Sequence, residues 1–257
     1  REHVEPRGTG MLDVVLADAR VTDASIKVVR LADVRRLRDV RLAGSRRFGS
    51  RGQSFTLAAF SGRLPGRDLR IAELTGTVAV ADDGAVRVDG LHLRSDDSEL
   101  RGAARVPGHD GGQYDVTIDA SRLAAKEMQR TLRAAAPATD LAATVHLRGP
   151  AEWAAVAATV TSDAGTVALT GHVGQGDLPS YDVRATLTGV NVAGFLGPAG
   201  PTTVLTGTVE AKGTGITPAE AAATASVMLH DSMLGDRTLL RVTANGELAA
   251  QRVTFTA

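Results

Sequence analysis

The chain has 257 residues, enough for one large or two ordinary domains, and its 43% hydrophobic and 23% charged side chains are those of a folded protein, not a disordered one. Lys+Arg and Asp+Glu number 29 each and cysteine is absent, so net charge points to no partner and a disulfide framework or thiolate metal site is excluded. Aromatics are only 3%, which leaves Val, Leu and Ala to build the apolar surfaces.

The first 46 residues predict two or three strands. From Arg30 to Arg70 the chain carries eleven arginines (30, 35, 36, 38, 41, 46, 47, 51, 63, 67, 70) against Asp33, Asp39 and Asp68, a local excess of eight positive charges. Such a cluster suits lipid or nucleic-acid phosphates, or simply a solvated sheet face. Period-two alternation then takes over: Leu69/Ile71, Val78/Val80, Val86/Val88 and Leu91/Leu93, followed by Tyr114, Val116 and Ile118 against Asp115, Thr117 and Asp119. Each such run predicts a strand with one apolar and one polar face.

Ser121 to Ala136 is rich in helix formers and stops before Pro137, predicting a helix. Alternation resumes at Leu141, Ala143, Val145 and Leu147, and again at Tyr181, Val183, Ala185 and Leu187, with Val253/Phe255 closing the chain. Thr217-Pro218-Ala219-Glu220 has the form of a capping box, and Gly149-Pro150-Ala151-Glu152 occupies the matching place earlier, so each predicts a short helical turn. Asn191 to Leu196 falls where the Ser121 helix would recur. Asp82-Asp83-Gly84, Pro107-Gly108, Asp110-Gly111-Gly112 and Gly174-Gln175-Gly176-Asp177 are turn signals at short intervals. Short turns join antiparallel strands, because parallel neighbours need long crossovers. The expectation is roughly 14 to 17 strands in a mainly β fold.

The pattern also repeats. Tyr114-Asp115-Val116 returns as Tyr181-Asp182-Val183, and Ser95-Asp96 returns as Ser162-Asp163, both 67 positions on. Pro150-Ala151-Glu152 returns as Pro218-Ala219-Glu220 after 68, and Thr144-Val145 with Gly149 returns as Thr208-Val209 with Gly213 after 64. A fixed period marks an array of one supersecondary unit. The expected sub-units are 1–46, 47–113, 114–180 and 181–257, within one continuous segment. No run of about 18 apolar residues is present to cross a membrane as a helix. The chain opens on Arg1 and has no signal peptide, so it is read as an excerpt of a longer protein.

A search for chemistry returns no catalytic constellation and no cofactor. The histidines at 3, 92, 109, 146, 172 and 230 show no metal-ligand spacing, and His92 and His146 are expected to face solvent. Neither a G-x-S-x-G elbow nor a phosphate loop is present. Gly213-Thr214-Gly215 lacks the third glycine of a dinucleotide fingerprint. Asp82-Asp83-Gly84 and Asp96-Asp97 with Glu99 match no calcium motif and read as turns. Only Phe48, Phe55 and Phe60 interleave the basic cluster, too few for nucleic-acid stacking. An enzyme is the least expected class.

The apolar face remains. Burying each large side chain contributes about 1.5–3 kcal/mol, so the sheet must curl, pack on a second sheet, or hold something apolar. Patterning alone permits a packed sandwich with a dry core as readily as an open furrow. The positions expected to line such a furrow are Leu69, Ile71, Val86, Val88, Tyr114, Val116, Ile118, Val145, Leu147, Val167, Leu169, Val183, Leu187 and Val209.

The stretches LTGTVAVADDGAVRVDGLHLRSDDSELRGAARV (74–106), DVRATLTGVNVAGFLG (182–197) and TVLTGTVEAKGTGITPAEAAATASVML (203–229) resemble the TamB family of AsmA-like proteins. That resemblance covers most of the chain and lies in texture and repeat rhythm, with no invariant catalytic motif. It implies an elongated, curled antiparallel sheet (a β-taco) in the periplasmic part of an inner-membrane-anchored envelope protein. It also implies a groove that conducts phospholipid acyl chains toward the outer membrane, flanked by adjacent repeats of a longer chain. A further implied role is assembly of outer-membrane β-barrels with an Omp85-type partner. An adhesin-like sandwich is the weaker alternative.

Overall fold

A computed structural model describes residues 14–26, 37–49, 52–109, 111–132, 136–176, 178–197, 200–215, 220–249 and 252–256. The fold is mainly β: a single antiparallel sheet whose strand order is the chain order. The first two strands are β1 (Val14–Ile26) and β2 (Leu37–Gly49). Next come β3 (Gly52–Leu64), a 3-10 turn (Pro65–Arg67), β4 (Leu69–Val80), β5 (Val86–Ser95) and β6 (Glu99–Val106). The chain continues through β7 (Gln113–Leu123), α1 (Ala125–Leu132), β8 (Leu141–Pro150), β9 (Ala154–Ser162) and β10 (Gly165–Gly174). It ends with β11 (Ser180–Val190), α2 (Val192–Leu196), β12 (Thr203–Thr214), β13 (Ala222–Leu234), β14 (Arg237–Ala249) and β15 (Arg252–Thr256). Fifteen strands at about 4.8 Å spacing make a sheet roughly 70 Å across.

The repeat is a four-strand unit. Its first strand is β3, β7 or β11, and a short helical element always follows that strand before the next one begins. Tyr114 and Tyr181 are each the second residue of the opening strand, and Ser95 and Ser162 each end the third. Both serines clip their hairpins: the Ser95 hydroxyl accepts from the Ser98 N–H at 3.1 Å and the Ser162 hydroxyl from the Ala164 N–H at 3.1 Å. The next helical element docks on that hairpin. Glu127 of α1 accepts from the Asp97 N–H at 3.1 Å, and Asn191, which caps α2, donates its N–H to the Ala164 carbonyl at 2.7 Å.

The helix expected over 121–136 is shorter. β7 runs on through Leu123, which pairs with Leu141 of β8, so ladder bonds override the helix propensity of Ser121–Leu123. The Asp140 carboxylate then accepts from the Ala125 N–H at 2.8 Å, capping α1 from a residue 15 positions further on. Residues 133–135 lie outside the described set. Gly149–Glu152 is not a helical turn either: Gly149 (φ +127) and Pro150 end β8, and a hairpin turn closes with the Trp153 N–H on the Pro150 carbonyl at 3.1 Å. Of the capping box, Thr217, Pro218 and Ala219 lie outside the described residues. Asn191–Leu196 does form α2, with Asn191 Oδ1 accepting from the Ala193 N–H.

No second layer covers the sheet among the described residues. Each strand packs on its chain neighbours, and β1 and β15 do not pair, so the sheet stays open. Among the described residues, the buried apolar ones are Val40, Ala120, Ala124, Ala154, Ala164 and Val190, four of them alanines. That is a set of contact points, not a sandwich core.

Candidate functional site: a continuous apolar face

Cross-strand partners in a sheet share a face, so register decides whether the alternating patterns join. They do. From Phe55 of β3, each residue stands directly opposite the next through Val78, Val88, Ala104, Val116, Leu147, Val156, Gly171, Val183, Ala211 and Ala225 to Gly246 of β14. A second tier runs from Leu91 through Gly102, Ile118, Val145, Ala158, Leu169, Ala185, Val209 and Val227 to Ala244. Bulges let the chain keep this face: between Ile71 and Glu73 the ladder slips by one residue, so Leu69 and Ile71 stay on the same side as Leu74.

All fourteen positions expected from the sequence lie on this one face. Leu69, Ile71, Val86, Val88, Tyr114, Val116, Ile118, Val145, Leu147, Val167, Leu169, Val183, Leu187 and Val209 are each half-buried. Burial of a large apolar side chain is worth about 1.5–3 kcal/mol, and the protein alone leaves a minor part of that unrealised at each residue. Alanine, present on both faces, gives a controlled comparison. No apolar-face alanine in β6–β14 is exposed, whereas on the polar face Ala103, Ala155, Ala157 and Ala222 are, with Ala142 and Ala168 half-buried. The sheet therefore shelters its apolar side.

Both rims are tied. Tyr114, on the apolar face of β7, donates its hydroxyl hydrogen to Gln175 Oε1 in the β10–β11 turn, and the Gln175 N–H bonds the Ala151 carbonyl of the β8–β9 turn. On the opposite rim Arg67 donates to the Arg130 and Thr131 carbonyls at 2.7 and 2.9 Å, at the C-terminal end of α1. The loop after α1 is tied on to α2 through the Ala138 N–H and the Phe195 carbonyl at 2.9 Å. At the β2–β3 end the apolar face is interrupted by Arg46 and Gln53, which bond each other at 2.7 Å while Arg46 stacks 4.0 Å over Phe48.

Periodicity alone did not reveal the glycines. Gly76, Gly102, Gly171 and Gly207 sit on the apolar face in β4, β6, β10 and β12. The recoverable signal is Leu-x-Gly-x-Val/Ala, which recurs at Leu74–Val78, Leu100–Ala104, Leu169–Val173 and Leu205–Val209. Gly171 (φ +151) and Gly207 (φ +153) adopt backbone that only glycine takes readily, and a Cβ there would strike the Asp182 and Met228 carbonyls respectively.

The outer face is polar and charge-matched. Arg184 stands opposite Glu210 at 3.2 Å and Lys212 opposite Asp182 at 3.1 Å, beside a polar hollow of about 610 Å³ that reaches Asn245 and Glu247. His146 is exposed as expected, and His92 also lies on the polar face, its side chain 25% exposed, between Glu99 (3.1 Å) and Glu73 (3.8 Å). The His92 hydrogen bond, with Arg101 adding to it, holds the Glu99 carboxyl below its ordinary range. The acidic clusters serve structure: Asp83 Oδ1 accepts from the Ala85 N–H at 2.9 Å, and Asp97 pairs with Lys126 at 2.6 Å. Among the described residues, no group of three or more His, Asp or Glu side chains is placed to hold a metal ion. No described helix is long and apolar enough to cross a membrane. Of the basic cluster, Arg30, Arg35, Arg36 and Arg51 lie outside the described residues.

No family model matches this chain, and neither does any curated protein or solved structure.

Proposed function

We propose that this chain is a non-enzymatic, periplasmic segment of an AsmA/TamB-like envelope protein, anchored in the inner membrane through sequence outside it. Its apolar face forms a groove for phospholipid transport between the inner and outer membranes. One observation supports this above the others: an apolar row passes from β3 to β14 in unbroken register, partly exposed, with no protein layer on it among the described residues. A dry sandwich core would bury these side chains; an acyl chain laid along them would take up the missing burial.

Lipid analysis by mass spectrometry of the natively purified protein tests the reading. Phospholipid is expected to co-purify and to pass between donor and acceptor vesicles. Val116→Arg and Val183→Arg should abolish transfer while the circular dichroism of the sheet persists, because a charge in the trough blocks an acyl chain. Thr186→Arg, on the outer face, should transfer normally. Wild-type transfer by both trough variants would refute the groove.

A further inference from the structure

Arg38 of β2, Arg63 of β3 and Arg70 of β4 stand directly opposite one another, three like charges in a single row across three strands. Like charges in direct register repel, and elsewhere the outer face avoids or offsets this. Arg184 and Lys212 face carboxylates, and Arg87, opposite Arg105, is held by Asp89 at 2.7 Å. Here compensation is poor. Arg63 meets Asp39 at 3.8 Å, and among the described residues the side chains of Arg38 and Arg70 make no ion pair or hydrogen bond. The row lines a depression of about 480 Å³ that Asp39, Asp68 and Asp96 share. Asp68 is already taken by Arg130 at 3.2 Å.

Leu64 and Leu69, also in this depression, pair with each other one position beyond Arg63 and Arg70, on the apolar side of the strands. Charge and apolar face therefore meet at one rim. Phe48, Phe55 and Phe60 belong to the apolar face, so among the described residues none of these aromatics stands beside the arginines to stack a base. Guanidinium groups recognise phosphate by paired N–H donors.

We propose that the Arg38–Arg63–Arg70 row binds a phosphate group, that of an anionic phospholipid whose acyl chains reach the apolar face past Leu64 and Leu69. The lipid half of this rests on the groove reading; phosphate recognition by the row does not. The test compares the wild-type chain with Arg63→Gln/Arg70→Gln and Arg63→Lys/Arg70→Lys. The probes are phosphatidylglycerol vesicles, phosphatidylcholine vesicles, inorganic pyrophosphate and a single-stranded oligonucleotide. The wild type is expected to prefer phosphatidylglycerol at least ~10-fold, a preference that weakens with salt. The Gln variant should lose that preference and the Lys variant keep part of it. The Gln variant should also melt no lower than wild type without ligand, because the row repels itself. Arginine-dependent pyrophosphate binding with no vesicle binding would keep the phosphate site and refute its lipid source. Unchanged binding of both phosphate probes by the Gln variant, a lower melting point as its only change, or preference for the oligonucleotide would overturn the proposal.

Discussion

Glu127 of α1 accepts a hydrogen bond from Ser98, a hydroxyl 29 residues earlier that belongs to the hairpin closing the preceding four-strand unit. The same carboxylate takes Ser95 and the Asp97 N–H, and it is only 5% exposed. In a sheet without a central core, such ties between units do what a core does elsewhere: they couple one repeat to the next. Glu127→Ala would strand two hydroxyls and an amide, and is expected to cost about 1–3 kcal/mol. Glu127→Gln should cost less, since it keeps an acceptor. Urea unfolding followed by circular dichroism measures both; equal loss in the two variants would show that packing, not hydrogen bonding, holds α1.

Gly207 and Gly246 both lie on the apolar face, yet alanine should act oppositely at the two. At Gly207 a Cβ meets the Met228 carbonyl and φ is +153, so Gly207→Ala should destabilise by about 1–3 kcal/mol. At Gly246 the nearest atom to an added methyl is the Thr254 carbonyl oxygen at 3.6 Å, and alanine should be neutral or stabilising by up to about 1 kcal/mol. Thermal melts of the pair check this, and a common sign would contradict it.

The Asp140 carboxyl is held below its ordinary range, first by the Ala125 N–H at the start of α1 and then by Arg122. A depressed folded value means stability that is complete at neutral pH and is lost as pH falls below the ordinary aspartate value of ~3.9 toward the folded one. Asp140→Asn should therefore be less stable than wild type at pH 7, with the difference closing in acid. Urea midpoints measured from neutral pH down through that window decide it. A gap independent of pH would show that the charge contributes nothing.

Arg184 and Glu210 face each other across β11 and β12 on the exposed outer side. Cross-strand ion pairs of this kind contribute about 0.2–1 kcal/mol. Glu210→Arg, which leaves two arginines opposed, should destabilise by a similar amount, and the double variant Arg184→Glu/Glu210→Arg should recover it. Raising salt should shrink both effects; a double-mutant cycle with no coupling would reduce the pair to a coincidence of register.

Strand content, antiparallel pairing and the period near 67 were legible because each is local: alternation along the chain, Gly and Asp at the turns, the same short strings returning. The fourteen apolar positions were legible for the same reason, since alternation assigns a side chain to a face within its own strand. Whether those faces join was not, because register is set by hydrogen bonding between strands and a one-residue slip would turn Val116 away from Leu147. Only the tertiary structure decided that the rows meet without a break, that bulges return Leu69 and Ile71 to the common side, and that α1 yields its first turn to β7. Only it placed Asp140, 15 residues away, at the head of α1, and set Arg38, Arg63 and Arg70 side by side. Sequence determined what each strand offers to its two sides; the pairing of strands, which no single strand encodes, decided what those sides add up to.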